Sequence, residues 1–213
     1  MDFPRVTEVL KPFTNFDHIP AKVLDGAAAR GTSVHAICAA IAKGEWIPES
    51  MIDPELRGYV DSFKLWSLDN VDKFNVIEKR YVHGWLEYSG QVDFVIEDTS
   101  GQIYLVDIKT GKTPQKTFPL QMAAYKELLA QHNITVIGAV LVYLDRDGKQ
   151  PKVQIIKDLT EQFYVFECAL TCWKYFNKGK QDGKSDSKAK EHTPASIGDN
   201  VRAGLHTKGT QIG

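Results

Sequence analysis

Two aspartates and a lysine are the residues of this sequence whose types and spacing are best suited to chemistry. Asp93, Asp107 and Lys109 fall within or just after two neighbouring apolar runs that a short polar segment separates. Two carboxylates held close together repel each other when ionised, and oxygen ligands of this kind favour a hard cation such as Mg²⁺. An adjacent ammonium can hold or activate a water molecule beside that cation. The three residues therefore point to metal-assisted attack on a phosphodiester.

The elements around these residues are predicted to place them on one surface. Apolar, β-branched runs over residues 92–96 and 103–108 flank a turn-forming segment that ends in glycine, which predicts a β-hairpin. Alternation along the second strand puts Asp107 and Lys109 on one face, and Asp93 can share that face from the first strand. The alternative is an ordinary exposed ion pair between Asp107 and Lys109 at a strand end.

A helix is predicted to follow the hairpin. Gly111 and Pro114 break the strand, and the apolar pattern resumes at helical period over residues 120–131. Gln121 and Tyr125 lie four residues apart on this helix and therefore share one of its faces.

The order of these residues resembles the core of the PD-(D/E)XK nuclease superfamily, and more narrowly its RecB-type branch. The matching segments are Val92-Asp93, Asp107-Ile108-Lys109-Thr110-Gly111 and Gln121-Met122-Ala123-Ala124-Tyr125. Upstream, Gly31-Thr32-Ser33-Val34-His35 is similar to the Gly-x-x-x-His segment of RecB-like exonucleases, including the phage and mitochondrial-maintenance types. The sequence departs from the pattern in two places, with Val92 instead of proline and Asp107 instead of glutamate.

The resemblance implies a divalent metal site. Asp93, Asp107 and the backbone carbonyl of Ile108 would hold Mg²⁺ or Mn²⁺, and His35 would be a further ligand. His35 borders the apolar face of a helix predicted over residues 20–43, so the alternative for it is a structural side chain.

The resemblance also implies a reaction. Lys109 would position the attacking water and steady the developing negative charge, while Gln121 and Tyr125 would orient the substrate backbone or support the lysine. The expected function is a metal-dependent DNA exonuclease in DNA recombination, repair or phage DNA metabolism. The alternatives are a structure-specific endonuclease on the same core and a catalytically inactive DNA-binding relative. The inactive relative would lack a charged site residue, yet both aspartates and the lysine are present.

Four further residues are candidates for accessory roles. Glu78 lies in a strand predicted over residues 74–85, and related exonucleases often carry an acid in this position that modulates the metal site. The alternative for Glu78 is a surface charge pattern with its neighbours. Arg30, Lys112 and Lys116 are candidate phosphate contacts, with solvated surface charges as the alternative.

The composition is that of an ordinary globular protein. Hydrophobic residues make up 43% and charged residues 25% of the chain, and the formal net charge is −1. No global basic field marks it as a tight duplex binder. The sequence shows no apolar run of transmembrane length and no secretion signal. The expected location is therefore intracellular, in a bacterial or phage-infected host cytoplasm, without a membrane partner.

The number of cysteines argues against both a disulfide framework and an iron–sulfur cluster. Cys38, Cys168 and Cys172 are too few for a disulfide framework and for the four-cysteine iron–sulfur cluster that some RecB-type nucleases carry. No iron–sulfur cluster is therefore expected. Cys168 and Cys172 lie four residues apart on a predicted helix and are interpreted as a pair of core thiols.

The whole pattern predicts an α/β fold. A central mixed β-sheet, made of a three-stranded meander plus further strands, would be flanked by helices, and the resemblance implies a restriction-endonuclease-like core. The apolar run over residues 135–144 predicts a strand covered on both faces. A nuclease domain is expected over residues 1–177, followed by a flexible polar tail over 178–213 that has few large apolar residues. DNA ends or single strands are the expected partners, with a homo-oligomer or a single-strand-binding or annealing protein left open.

Overall fold

The protein is seen in a computed structural model that describes residues 3–14, 16 and 18–178. Within these residues, five strands form one mixed sheet in the order β1-β2-β3-β4-β5. The strands are Val71–His83 (β1), Tyr88–Asp98 (β2), Ile103–Lys109 (β3), Gly138–Tyr143 (β4) and Lys152–Ile156 (β5). β3 and β4 run parallel, whereas the other neighbouring strands are antiparallel. The predicted meander, extended by further strands, is confirmed.

Helices cover both faces of the sheet. The α-helices of the described part are Val6–Leu10 (α1), Ala21–Ala42 (α2), Pro54–Asn70 (α3), Thr117–Gln131 (α4) and Thr160–Asn177 (α5). Side chains of α1, α4 and α5 pack in one apolar cluster, and side chains of α2 and α3 pack in a second. β4 is buried along its whole length, as expected of a strand between two helical layers.

The β2–β3 turn sets the register on which the site depends. The Asp98 carboxylate accepts hydrogen bonds from the backbone N–H groups of Ser100 and Gln102, at 2.9 and 2.8 Å. The strands then pair with Phe94 opposite Val106. One residue further along this register, Asp93 on β2 lies opposite Asp107 on β3.

The face of α5 that is buried does not carry Cys168 and Cys172, which the sequence predicts to be core thiols. Phe166, Ala169 and Leu170 form its buried side. Cys168 and Cys172 are exposed, so the prediction of two core thiols is wrong, and Cys38 on α2 is the buried cysteine. Each residue advances about 100° around the helix axis, so Cys168 and Cys172 lie on a different side of α5 from its buried residues.

The chain divides into one unit over Met1–Trp173 and another over Lys174–Gly213. The sheet belongs to the first unit. The polar tail predicted for 178–213 lies outside the described residues apart from Lys178, so the domain boundary stays a prediction. Among the described helices, none combines the length and the apolar character that crossing a bilayer requires.

Candidate active site

β2 changes the direction of its side chains at Asp93. Val92 and Val95 pack in the cluster that contains α4, whereas Phe94 packs in the cluster that contains α3. Strict alternation would put Val92 and Phe94 on the same face, so the strand is irregular between them. The Asp93 carboxylate at this irregularity accepts a hydrogen bond of 3.0 Å from the backbone N–H of Ile108 on β3.

β1 is irregular at the matching position, Glu78. The pairs Ile77–Phe94 and Lys79–Val92 place Glu78 opposite Asp93. Glu78 has a φ of 46°, in the left-handed region that residues other than glycine seldom adopt. Such a conformation costs on the order of 1 kcal/mol or more, and it occurs preferentially at functional sites. The two acids therefore meet at a shared distortion of adjacent strands.

α2 brings His35 to these acids. Its neighbours Val34 and Cys38 are buried in the core, which holds the helix against the sheet. His35 Nδ1 lies 3.3 Å from Asp93 Oδ2 and 3.5 Å from Glu78 Oε1. The three candidate ligand atoms all lie within 4.8 Å of one another. The backbone carbonyl of Ile108 lies 3.0 Å from His35 Nε2.

Electrostatics hold the imidazole of His35 in its charged form when no cation is bound. Burial lowers the pKa of His35, but the negative charge of Asp93 and the close polar contacts with Asp93 and Glu78 outweigh this effect and raise the pKa to about 10. The site thus favours a positive charge at its centre.

Asp107 lies next to this group and pairs with Lys109. Its side chain is 1% exposed, and its Oδ2 atom lies 2.7 Å from Lys109 Nζ. Burial raises the pKa of Asp107 to about 6 in spite of the Lys109 ammonium, and the charge of Asp93 contributes to the increase. The two aspartates are therefore close enough to interact, as the hairpin predicted.

α4 supplies further partners to the lysine. Lys109 Nζ donates a hydrogen bond of 3.1 Å to Gln121 Oε1, and Gln121 Nε2 donates one of 3.0 Å to the Tyr125 hydroxyl. The ring of Phe118 lies on another side of the ammonium, with 4.3 Å between Nζ and the ring centre. Burial raises the pKa of the Tyr125 phenol, so this hydroxyl stays protonated at neutral pH.

The donor set fits a divalent cation. Glu78 Oε1 and Asp107 Oδ1 are buried atoms without a hydrogen-bond partner in the described part of the chain. A buried oxygen of this kind calls for an unseen partner such as an ion. Carboxylate oxygens beside an imidazole suit Mg²⁺ and Mn²⁺ better than they suit soft metals.

The three candidate phosphate contacts have different surroundings. The Arg30 guanidinium lies 5.9 Å from the centre of the Tyr59 ring, and its buried Nε has no hydrogen-bond partner among described residues. Lys112 and Lys116 are exposed in the loop between β3 and α4. Their role as phosphate contacts stays a prediction.

A cavity of about 620 Å³ opens beside the acids. Its wall includes His35, Glu78, Asp93 and Tyr125, together with the cationic side chains of Arg5 and Lys43. A volume of this size can hold a small ligand and lies in the range of known ligand pockets.

Sequence reasoning missed Phe118 and Gln91. Gln91 donates a short hydrogen bond to Glu78 Oε2, and no local signal singles it out. Phe118 could have been found, because it lies three residues before Gln121 and therefore on the same helix face. Arg5 and Lys43 were also missed, since only tertiary packing brings them to the cavity.

The fold and the site together define a class, the metal-dependent nucleases built on a mixed α/β sheet. A model of the PD-(D/E)XK nuclease superfamily matches residues 22–192, and the chain belongs to this superfamily. Members of this superfamily use divalent metals to hydrolyse phosphodiester bonds. The narrower RecB-type placement stays a prediction.

Two solved structures show the extent of the similarity. The chain is 19% identical to SSO0001, with a TM-score of 0.36, over 55% of this chain and 60% of that one. It thus covers less than two thirds of the SSO0001 chain. It is 13% identical to LHK-Exo, solved in complex with dAMP, with a TM-score of 0.48, over 88% of this chain and 94% of that one. No curated protein sequence matches the chain significantly.

Proposed function

We propose that this protein is a DNA exonuclease that depends on Mg²⁺ or Mn²⁺. The observation that carries the proposal is the meeting of two groups of side chains on the sheet. His35, Glu78 and Asp93 gather within 4.8 Å of one another, and the Asp107–Lys109 ion pair of 2.7 Å lies beside them. A cation site next to a held ammonium suits metal-assisted phosphodiester hydrolysis, because the cation can activate a water molecule and the ammonium can stabilise negative charge.

The candidate ligands come from four elements. Asp93, Asp107 and the Ile108 carbonyl are assigned to the cation, with His35 and Glu78 as further ligands. A divalent cation bound there would act as a Lewis acid toward the phosphate and lower the pKa of water. The orphaned buried oxygens of Glu78 and Asp107 support this assignment.

Lys109 is assigned to the attacking water and to the developing negative charge. An ammonium has three N–H donors, and Asp107 and Gln121 engage two of them. The third can then reach a water molecule or a phosphate oxygen. Gln121 is in turn held by Tyr125, so the helix fixes the direction in which the ammonium points.

The assignment of an exonuclease rests on the similarity of the Gly31–His35 segment to RecB-type exonucleases. The 3.3 Å approach of His35 to Asp93 supports that similarity, because it brings the histidine of the segment to a proposed metal ligand. Arg30, Lys112 and Lys116 remain candidate phosphate contacts, to which Arg5 and Lys43 are added from the cavity wall. A role in DNA recombination, repair or phage DNA metabolism, inside the cell, belongs to the same proposal.

The proposal is tested with end-labelled linear DNA and closed circular DNA, each incubated with Mg²⁺, Mn²⁺ or EDTA. We expect the linear DNA to be degraded from its ends with either metal, and both substrates to survive in EDTA. Comparison of 5′- and 3′-labelled strands then gives the polarity. Cutting of the circle would instead identify an endonuclease, and an inactive protein under all conditions would contradict the proposed function.

Replacement of the lysine tests its role in the same assay. Lys109→Met keeps most of the length of the side chain but removes the ammonium, so we expect a loss of about 10²- to 10³-fold in kcat. Lys149→Met, at an exposed position in the β4–β5 turn, is the matched control and should cut at the normal rate. Normal activity of Lys109→Met would remove Lys109 from the mechanism.

A further inference from the structure

The Lys109 ammonium is enclosed on three sides, although a charged group of this kind usually extends into water. Its side chain is 15% exposed. Asp107 Oδ2 lies 2.7 Å from Nζ and Gln121 Oε1 lies 3.1 Å from it. The third neighbour is apolar, the ring of Phe118, whose centre is 4.3 Å from Nζ.

We propose that Phe118 is a positioning residue for Lys109, holding the ammonium in its working direction through the face of its ring. The proposal rests on the proposed function, since it assumes that Lys109 acts on the attacking water or the phosphate. Phe118 does not touch the substrate in this scheme, and it acts through the lysine alone.

The geometry explains why an aromatic ring suits this position. Phe118 and Gln121 are three residues apart on α4 and point to the same side of the helix. Phe118 also packs against the apolar cluster beneath α4, which keeps the ring in place. The negative face of the ring attracts the ammonium within about 6 Å, and more strongly where water is excluded.

The chemical character of the ring matters as much as its place. A phenylalanine side chain neither donates nor accepts a conventional hydrogen bond, so it leaves the remaining N–H of the lysine free for a water molecule or a phosphate. A polar residue in the same place would compete for that donor. Without the ring, the flexible four-carbon stem of lysine could turn away from the position that Asp107 and Gln121 define.

The first test compares two substitutions of Phe118. Phe118→Leu keeps an apolar side chain but removes the ring, and we expect kcat to fall about three- to thirtyfold with KM for DNA unchanged. Phe118→Tyr keeps the ring face and should retain most of the wild-type activity. The matched control is Phe163→Leu, because Phe163 is also partly buried against the same cluster and lies on α5. It loses a ring from the core and should retain normal kcat.

Each result decides the proposal. Normal kcat in Phe118→Leu, equal losses in Phe118→Leu and Phe118→Tyr, or an equal loss in Phe163→Leu would overturn it, since each would show that the ring face at this position is not what matters. Thermal melting of the wild type and the three variants identifies any loss of kcat that comes from unfolding.

A second measurement does not depend on nuclease activity. In the NMR spectrum, the ring should shift the ε-CH₂ protons of Lys109 upfield relative to those of exposed lysines, and Lys109→Met identifies the signal by its disappearance. Phe118→Leu should abolish the shift and Phe118→Tyr should keep it. If the wild-type protein degrades no DNA, the proposed function fails, while this shift still shows whether the ring holds the ammonium. Absence of the shift in an active wild-type protein would overturn the positioning role alone.

Discussion

The ionisable residues of the site divide into two sets with different surroundings. Glu78 and Asp93 face His35, and Asp107 faces Lys109. Each carboxylate thus has a cationic neighbour, which reduces the repulsion that burial of three acids would otherwise cause. Glu78 still has one buried oxygen without a hydrogen bond, so it has room for a further ligand.

The role of Glu78 is testable by metal binding. Glu78→Gln keeps the shape of the side chain but removes its charge, and we expect the affinity for Mn²⁺ to fall about tenfold or more. Isothermal titration calorimetry measures this affinity directly. Glu97→Gln, four residues after Asp93 on β2, serves as the control and should bind as the wild type does. Unchanged affinity in Glu78→Gln would exclude Glu78 from the metal ligands.

Helix α3 packs closely against the turn after β4. Gly58 on α3 faces the backbone of this turn, and a Cβ atom built on Gly58 would lie 1.7 Å from the carbonyl oxygen of Arg146. The turn is also tied to the helix by the backbone N–H of Asp145, which donates to the Ser62 hydroxyl at 2.9 Å. This contact holds α3 against the sheet beside β4.

A methyl group at this contact should destabilise the protein. Alanine normally favours a helix over glycine by about 1 kcal/mol, but overpacking against fixed backbone costs about 1–3 kcal/mol. We expect Gly58→Ala to lower the free energy of unfolding in urea titrations. Gly26→Ala on α2, where nothing lies within 4 Å of the added Cβ, is the control and should raise it. Equal effects in both variants would show that α3 does not depend on the close approach.

At the scale of the whole molecule, the sheet separates two apolar clusters, one under α1, α4 and α5 and the other under α2 and α3. Cys38 belongs to the second cluster, and it is fully buried. The exposed pair on α5 lies outside both clusters. The reactivity of Cys38 therefore depends on opening of the core, whereas that of Cys168 and Cys172 depends on the surface of α5.

Thiol reactivity should reflect this distribution. In the folded protein, Ellman's reagent should modify Cys168 and Cys172 quickly, and Cys38 should react only when the core opens. Burial also raises the pKa of the Cys38 thiol, which lowers its reactivity further. Counting the fast-reacting thiols with and without urea checks this, and Cys38→Ser should leave the fast phase unchanged. Fast reaction of all three would contradict the placement of Cys38 in the core.

Local pattern predicted most of the elements and part of the site. The hairpin, the helix with Gln121 and Tyr125, and the buried strand after it follow from side-chain periodicity, which depends only on neighbours in the chain. The pairing of Asp107 with Lys109 follows in the same way, because residues two apart on a strand share a face. These features need no knowledge of the rest of the fold.

The tertiary structure alone decided how the acids meet the histidine. His35 and Ile108 are 73 residues apart in the chain, and only the packing of α2 on the sheet brings them together. The joint irregularity at Glu78 and Asp93 breaks the alternation from which faces are predicted, so periodicity could not show that Glu78 joins the group. The residues of the chain thus determined which chemical groups are available, and long-range packing determined which of them share one site, since that packing balances contacts across the whole core.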